Sequence, residues 1–204
     1  MKRKKDFKLA SVHGLLIPDT EEARIRNTLF YRGLIQILFS RNLEICVRLF
    51  AYEVPVETSE IKGVPRVESV DLLGYDTDKN LYIIELKTAS SKDSLDKTVT
   101  QIRKYEQKIH LSWIALQAEF RQKLQIPEFT FVKEEIKKII LAPKEYYRKN
   151  KKTNATGCTD ILFCYFAYDR NKTRMNALNS EKPMLENSVT NIAVYKGISE
   201  REKG

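Results

Sequence analysis

The chain has 204 residues, 42% hydrophobic and 31% charged, which is apolar material for one sizeable core and little for a second. Its 36 Lys and Arg against 27 Asp and Glu leave a formal charge of +9; that balance favours a polyanionic partner and says nothing about fold. The longest purely apolar stretch, Ile161 to Tyr168, falls far short of the ~20 residues needed to cross a bilayer, and the basic start lacks an apolar leader core, so a soluble, cytoplasmic protein without membrane contact is expected.

One α/β domain is expected over residues 1–204, with a basic polar arm at 1–10 and a short polar tail at 197–204. After the arm, Asp19-Thr20-Glu21-Glu22 offers an N-cap and acidic first-turn residues. Ile25, Leu29, Leu34, Ile35 and Leu38 then follow at helix-like spacing, which predicts a helix from about Thr20 to Phe39. Ile45 to Val56 mixes β-branched and aromatic residues and predicts a strand, with Gly63 and Pro65 marking the next turn. Val67 to Leu73 and Leu81 to Lys87 predict two strands joined as a hairpin through the turn-forming run Tyr75 to Asn80. From Ser94 to about Leu124 there is neither Pro nor Gly, and the spacing predicts helix, broken near His110 and ended by Pro127. Lys137 to Leu141, Asp160 to Tyr168 and Thr190 to Tyr195 predict three further strands, the last two separated by a long polar loop, Asp169 to Ser188.

Cys46, Cys158 and Cys164 are odd in number and lack CxxC spacing. With only His13 and His110 beside them they do not make a zinc site, and buried free thiols are expected. The basic runs Lys2 to Lys5 and Arg148 to Lys152 read as solvated tails or loops.

The chemistry concentrates in the hairpin. Strand side chains alternate faces, so Glu85 and Lys87 share one face, roughly 7 Å apart, while Ile84 and Leu86 take the other. Asp71 falls opposite Glu85 if the loop has the right parity. A three-residue loop, Thr77-Asp78-Lys79, satisfies it by pairing Asp76 with Asn80, and Asn80 tolerates the left-handed conformation such loops want. Glu-x-Lys also occurs on exposed sheets as a surface ion pair. Here Leu81 to Leu86 is apolar on both faces, as in a buried central strand where uncompensated charge is costly. Two facing carboxylates in such a frame repel, so burial without a cation would cost several kcal/mol or force one of them to protonate. A magnesium ion would accept them as oxygen ligands, with room left for a phosphate and a water.

The stretch Arg66 to Gly74 followed by Leu81 to Thr88 resembles the core of PD-(D/E)XK nucleases: an Asp closing one strand, a short hairpin, then Glu-x-Lys. The resemblance implies a restriction-endonuclease-like fold, a mixed central sheet flanked by helices. It implies a magnesium-dependent deoxyribonuclease of restriction, repair or defence type, able to use manganese, with Asp71, Glu85 and Lys87 catalytic and Asp71 and Glu85 holding the metal. Val70 stands where the family usually has Pro, a position that varies. Gln101-Ile102-Arg103-Lys104-Tyr105 is similar to the Gln-x-x-x-Tyr motif of the RecB-like branch and implies nucleic-acid contacts by Gln101 and Tyr105, two residues that also suit an ordinary amphipathic helix. The family's helix-borne metal ligand falls on Glu22, with Glu21 next, although both also suit a helix first turn.

The resemblance spans roughly Glu21 to Tyr105. DNA is the expected partner, with RNA left open, and a homodimer or a larger nuclease complex is allowed. Two other classes compete: a nucleic-acid-binding module of the same fold without turnover, and a scaffold whose basic surface holds an acidic partner. Metal dependence separates the first from an enzyme, and tolerance of charge loss at Glu85 marks the second.

Overall fold

The protein is described from a computed structural model covering residues 8–9, 20–40, 43–61, 64–124, 130–150, 158–168 and 189–194. Helix α1 (Glu21–Arg32) starts as its sequence dictates, with the Thr20 hydroxyl accepting from the Ala23 N–H and two glutamates in the first turn. It stops seven residues before the predicted end at Phe39. Gly33 adopts φ 67 and its N–H turns back to the carbonyls of Leu29 and Phe30. The chain then enters strand β2 (Leu34–Ser40), where Ile35 and Ile37 are buried while Leu34, Gln36 and Leu38 are exposed. The apolar set at 34, 35 and 38 fits a helix period, but burial follows a period of two.

A short strand, β1 (Lys8–Leu9), pairs with Tyr52 and Ala51, so part of the predicted polar arm is built into the sheet. The next three strands are β3 (Leu43–Ile61), β4 (Val64–Tyr75) and β5 (Asn80–Leu86). Pro65, expected in a turn, lies in β4 across from Glu60. Helices α2 (Leu95–Leu111) and α3 (Trp113–Leu124) are separated at Ser112, two residues past the predicted break. Strand β6 (Val132–Pro143), helix α4 (Lys144–Lys149), which was not predicted, and strands β7 (Ile161–Tyr168) and β8 (Val189–Val194) complete the described elements. Gly63, Pro127, the loop Asp169 to Ser188 and the tail 197–204 lie outside the described residues.

All eight strands form one mixed sheet in the order β1-β3-β2-β8-β7-β6-β5-β4, and β3 also pairs with β4. In β3, residues 43–48 pair with β2 and the longer remainder, residues 48–61, pairs with β4. Because β2 meets β8 at Leu38↔Ala193, the order of strands closes on itself and the sheet is curled. Parallel pairing of β5, β6 and β7 places β5 between neighbours, and Leu81 to Leu86 are all buried, as its apolar composition requires.

Two apolar clusters line the two surfaces of this sheet. One gathers Ile25 and Leu29 of α1 with Ile37, Leu72, Ile84, Leu86 and Phe166. The other packs Val99, Ile102 and Tyr105 of α2, with residues of α3 and α4, onto Leu73, Leu81, Ile83 and Ile140. The molecule is thus α/β, a mixed sheet with helices on both surfaces. Among the described residues no helix is long and apolar enough to cross a membrane.

Candidate active site

The β4–β5 hairpin has the register that loop parity predicts: Tyr75↔Leu81, Gly74↔Tyr82, Leu73↔Ile83 and Leu72↔Ile84. The pairing ends there, and the same register continued by one step would set Asp71 against Glu85. The left-handed loop residue is Lys79, φ 65, rather than Asn80. Asp76 explains why: its carboxylate accepts from the Asn80 backbone, the Asn80 side chain and the Tyr82 hydroxyl, holding Asn80 in the strand.

Beyond Leu72↔Ile84 the two strands part, and Asp71 fills the opening with Oδ2 accepting from the Leu86 N–H at 2.8 Å. On the other side, Lys87 N–H bonds to Leu141 O of β6, which carries the line of β5 past its end. Glu85 and Lys87 project to the same side, as alternation demands, and Lys87 Nζ donates to Glu85 Oε1 at 2.8 Å. All three side chains are buried, with 8% of Asp71, 2% of Glu85 and 5% of Lys87 exposed.

Helix α1 supplies the opposite wall. Glu22 and Arg26, one turn apart, share the face that looks onto Asp71. Arg26 Nη2 bonds Glu53 Oε1 at 2.5 Å, and its Nη1 lies 3.5 Å from Asp71 Oδ1. Glu53 sits mid-strand at φ 48, left-handed backbone that is costly for a residue with a Cβ. The pairs Tyr52↔Leu72 and Val54↔Val70 place it on β3 opposite Asp71 of β4. From the loop after β5, Asp93 reaches Lys87 at 3.5 Å and also pairs with Lys97. That loop is tied down by Lys149, which donates to the carbonyls of Ala89 and Ser91, and by Ser90, which donates to Glu21.

The electrostatics follow from this crowding. Burial, then the neighbouring Asp71 charge, pushes the Glu85 carboxyl well above its ordinary range. Burial also raises Asp71, against the pull of the Leu86 N–H and Arg26. Glu22 is raised by burial and by Asp71. Lys87 is shifted upward: burial opposes its charge, but Glu85, Asp71 and Glu22 together outweigh it. Three raised carboxyls, Glu22, Asp71 and Glu85, thus lie beside the cations of Lys87 and Arg26.

Gln101 and Tyr105 sit on the α2 face that packs toward the same carboxylates. Gln101 Nε2 donates to the Tyr105 hydroxyl at 2.6 Å, and the phenol is raised by burial and by the charge of Glu85. Tyr105 is 1% exposed, so it supports the site from within the core, whereas Gln101 is half-buried. Cys46, Cys158 and Cys164 are free, but of the three only Cys164 is fully buried. Arg26, Glu53 and Asp93 escaped the sequence reading. Arg26 had a usable signal, its i, i+4 relation to Glu22; Glu53 had none, since its place depends on the β3–β4 register.

Among the described residues, no three His, Cys, Asp or Glu side chains are gathered tightly enough to ligate an ion as they stand. Glu85 Oε2 is nevertheless buried without a hydrogen-bond partner, an orphan acceptor that the burial of charge makes expensive. Glu22, Asp71 and Glu85 are oxygen donors of the kind a hard divalent cation takes, and Glu85 Oε2 is the one left without a partner, but holding an ion would require the three to draw closer together. Comparison of the chain with protein-family models, with curated proteins and with solved structures returns no match.

Proposed function

We propose that the chain is a metal-dependent nuclease of PD-(D/E)XK type that hydrolyses DNA phosphodiester bonds, with magnesium as its ion and manganese as a substitute. One observation carries the reading: where the β4–β5 ladder ends, buried Asp71 accepts from the Leu86 N–H beside buried Glu85, with Lys87 Nζ at 2.8 Å from Glu85 and Glu85 Oε2 unpartnered. The restriction-endonuclease-like fold is proposed with it, supported by the succession of α1, the hairpin and α2 around one mixed sheet.

In this reading Asp71, Glu85 and Glu22 hold the ion. When bound, it supplies Lewis acidity toward a phosphoryl oxygen and a more acidic water. Lys87, anchored by Glu85 and Asp93, presents the remaining N–H donors of its ammonium to a water or to charge developing on the phosphorus. Gln101, half-buried and bonded to Tyr105, offers a polar contact to the nucleic acid. The +9 charge supplies long-range attraction to phosphates.

A non-catalytic nucleic-acid-binding module of the same fold is the alternative. Lys87 on Glu85 and Arg26 near Asp71 already neutralise part of the centre, which suits such a module as well. Incubating purified protein with plasmid and single-stranded DNA, in magnesium, manganese or chelator, separates the two. Cleavage confined to the metal arms supports the nuclease, and binding without cleavage under all conditions leaves the module.

A further inference from the structure

Among the described residues, the buried side-chain polar atoms without a hydrogen-bond partner are Arg26 Nε, Glu85 Oε2 and Gln117 Oε1. Arg26 and Glu85 both border Asp71: Arg26 Nη1 lies 3.5 Å from Asp71 Oδ1, and Asp71 raises the Glu85 carboxyl. Their needs are opposite. The glutamate oxygen lacks a cation or donor, and the arginine nitrogen lacks an acceptor.

Arg26 is also held in place by more than packing. Its side chain is only 11% exposed, its Cζ lies 6.0 Å from the centre of the Tyr52 ring, and its Nη2 is fixed by Glu53. Glu53 reaches that position from a left-handed backbone at φ 48. Strain of this kind persists where the surroundings over-determine it, often at ligand-binding sites. One edge of the guanidinium is therefore anchored and Nη1 pairs loosely with Asp71 at 3.5 Å, while Nε has no acceptor. A planar, permanently charged fork fixed at one corner with donors to spare is built to receive a tetrahedral oxyanion.

We propose that Arg26 is a phosphate ligand of the site, contacting a phosphodiester oxygen of the substrate beside the cation held by Asp71 and Glu85. The inference rests on the metal-site reading of those carboxylates. A cation on Glu85 and Asp71 and a phosphate oxygen on Arg26 satisfy both orphan atoms at once, which neither ligand does alone. Glu22 and Arg26 then form one working face of α1, the first toward the cation and the second toward the anion.

The test compares the full-length wild type with Arg26→Gln and Arg26→Lys. Manganese affinity is measured by calorimetry, and affinity for a short DNA duplex is measured in calcium over a salt series, with inorganic phosphate as competitor. Arg26→Gln should weaken DNA binding by about tenfold or more, lower the salt slope by about one contact and blunt competition by phosphate. Manganese affinity should hold or tighten, since a nearby positive charge is gone. Arg26→Lys keeps the charge without the fork, so the salt slope should persist while affinity falls part of the way. It also serves if the glutamine variant fails to fold. Wild-type manganese binding with unchanged DNA affinity and salt slope in the variants overturns the assignment of Arg26 alone. Loss of manganese binding in both folded variants makes Arg26 a structural support of the carboxylates and overturns it too. A wild type that binds no manganese removes the metal-site reading, and this inference with it.

Discussion

At the level of single residues, the site is a conflict of charge resolved by geometry. Asp71 and Glu85 are each pushed toward the protonated form by burial, and each has one oxygen committed, to the Leu86 N–H and to Lys87 respectively. Glu85→Gln keeps the shape and one acceptor but removes the charge that would hold a divalent ion. Under the proposed function this variant stops cutting while DNA binding in calcium persists, because affinity comes mainly from Lys and Arg contacts to phosphates. Lys87→Ala should lower cleavage by about a hundredfold or more, the usual loss when a group acting on the developing charge is removed. Plasmid nicking alongside a gel-shift titration reads both effects, and normal cutting by either variant would defeat the mechanism.

At the level of elements, the hairpin and its neighbours set where those residues stand. Gly74 lies where β4 passes close under β3. A Cβ built there would meet Val47 Cγ1 at 2.5 Å and the Arg48 carbonyl oxygen at 2.9 Å. The second contact is backbone, so a methyl group must push the strands apart. Gly74→Ala should destabilise the fold by about 1–3 kcal/mol, the usual cost of overpacking a filled core, read as a lower urea midpoint. A midpoint equal to wild type would mean that the β3–β4 contact is looser than described. Gly33 acts differently: its φ of 67 ends α1 and turns the chain into β2. Glu22 and Arg26 depend on that stop, because a helix continued to Phe39 would remove β2 from beside β3.

At the level of the whole molecule, the buried acids should make stability depend on pH and on metal together. Glu85, Asp71 and Glu22 are all raised, so the folded chain holds protons that the unfolded chain has released. The stability they contribute is full below the ordinary values, 3.8 for Asp71 and 4.5 for the two glutamates, and is lost as pH rises through the raised values. Asp93 and Asp160 are lowered by Lys97 and Arg103, and their contribution is lost only as pH falls below the ordinary 3.8, outside that window. In chelator the thermal midpoint should therefore fall from mildly acidic to mildly alkaline buffer. Excess magnesium should flatten the fall by replacing the lost protons. Calorimetric scans with and without the ion check both signs, and a chelated midpoint that rises over this range contradicts the buried-acid account.

Much of this was readable from local pattern. Alternation put Glu85 and Lys87 on one face, the length of the Asp76 to Asn80 loop set the hairpin register, and the uninterrupted run after Ser94 marked α2 and α3. These features depend on neighbours a few residues apart, so the chain's own periods suffice. The end of α1 did not follow in this way, because Leu34, Ile35 and Leu38 satisfy a helix period until packing against β3 and β8 selects the strand. The choice of Lys79 over Asn80 for the left-handed turn came from the contacts of Asp76 with Asn80 and Tyr82. The pairing of Arg26 with Glu53, and of both with Asp71, joins positions far apart in the chain through the β3–β4 register and the seating of α1. Local sequence carries no record of such distances, whereas burial of two apolar surfaces on one curled sheet fixes them.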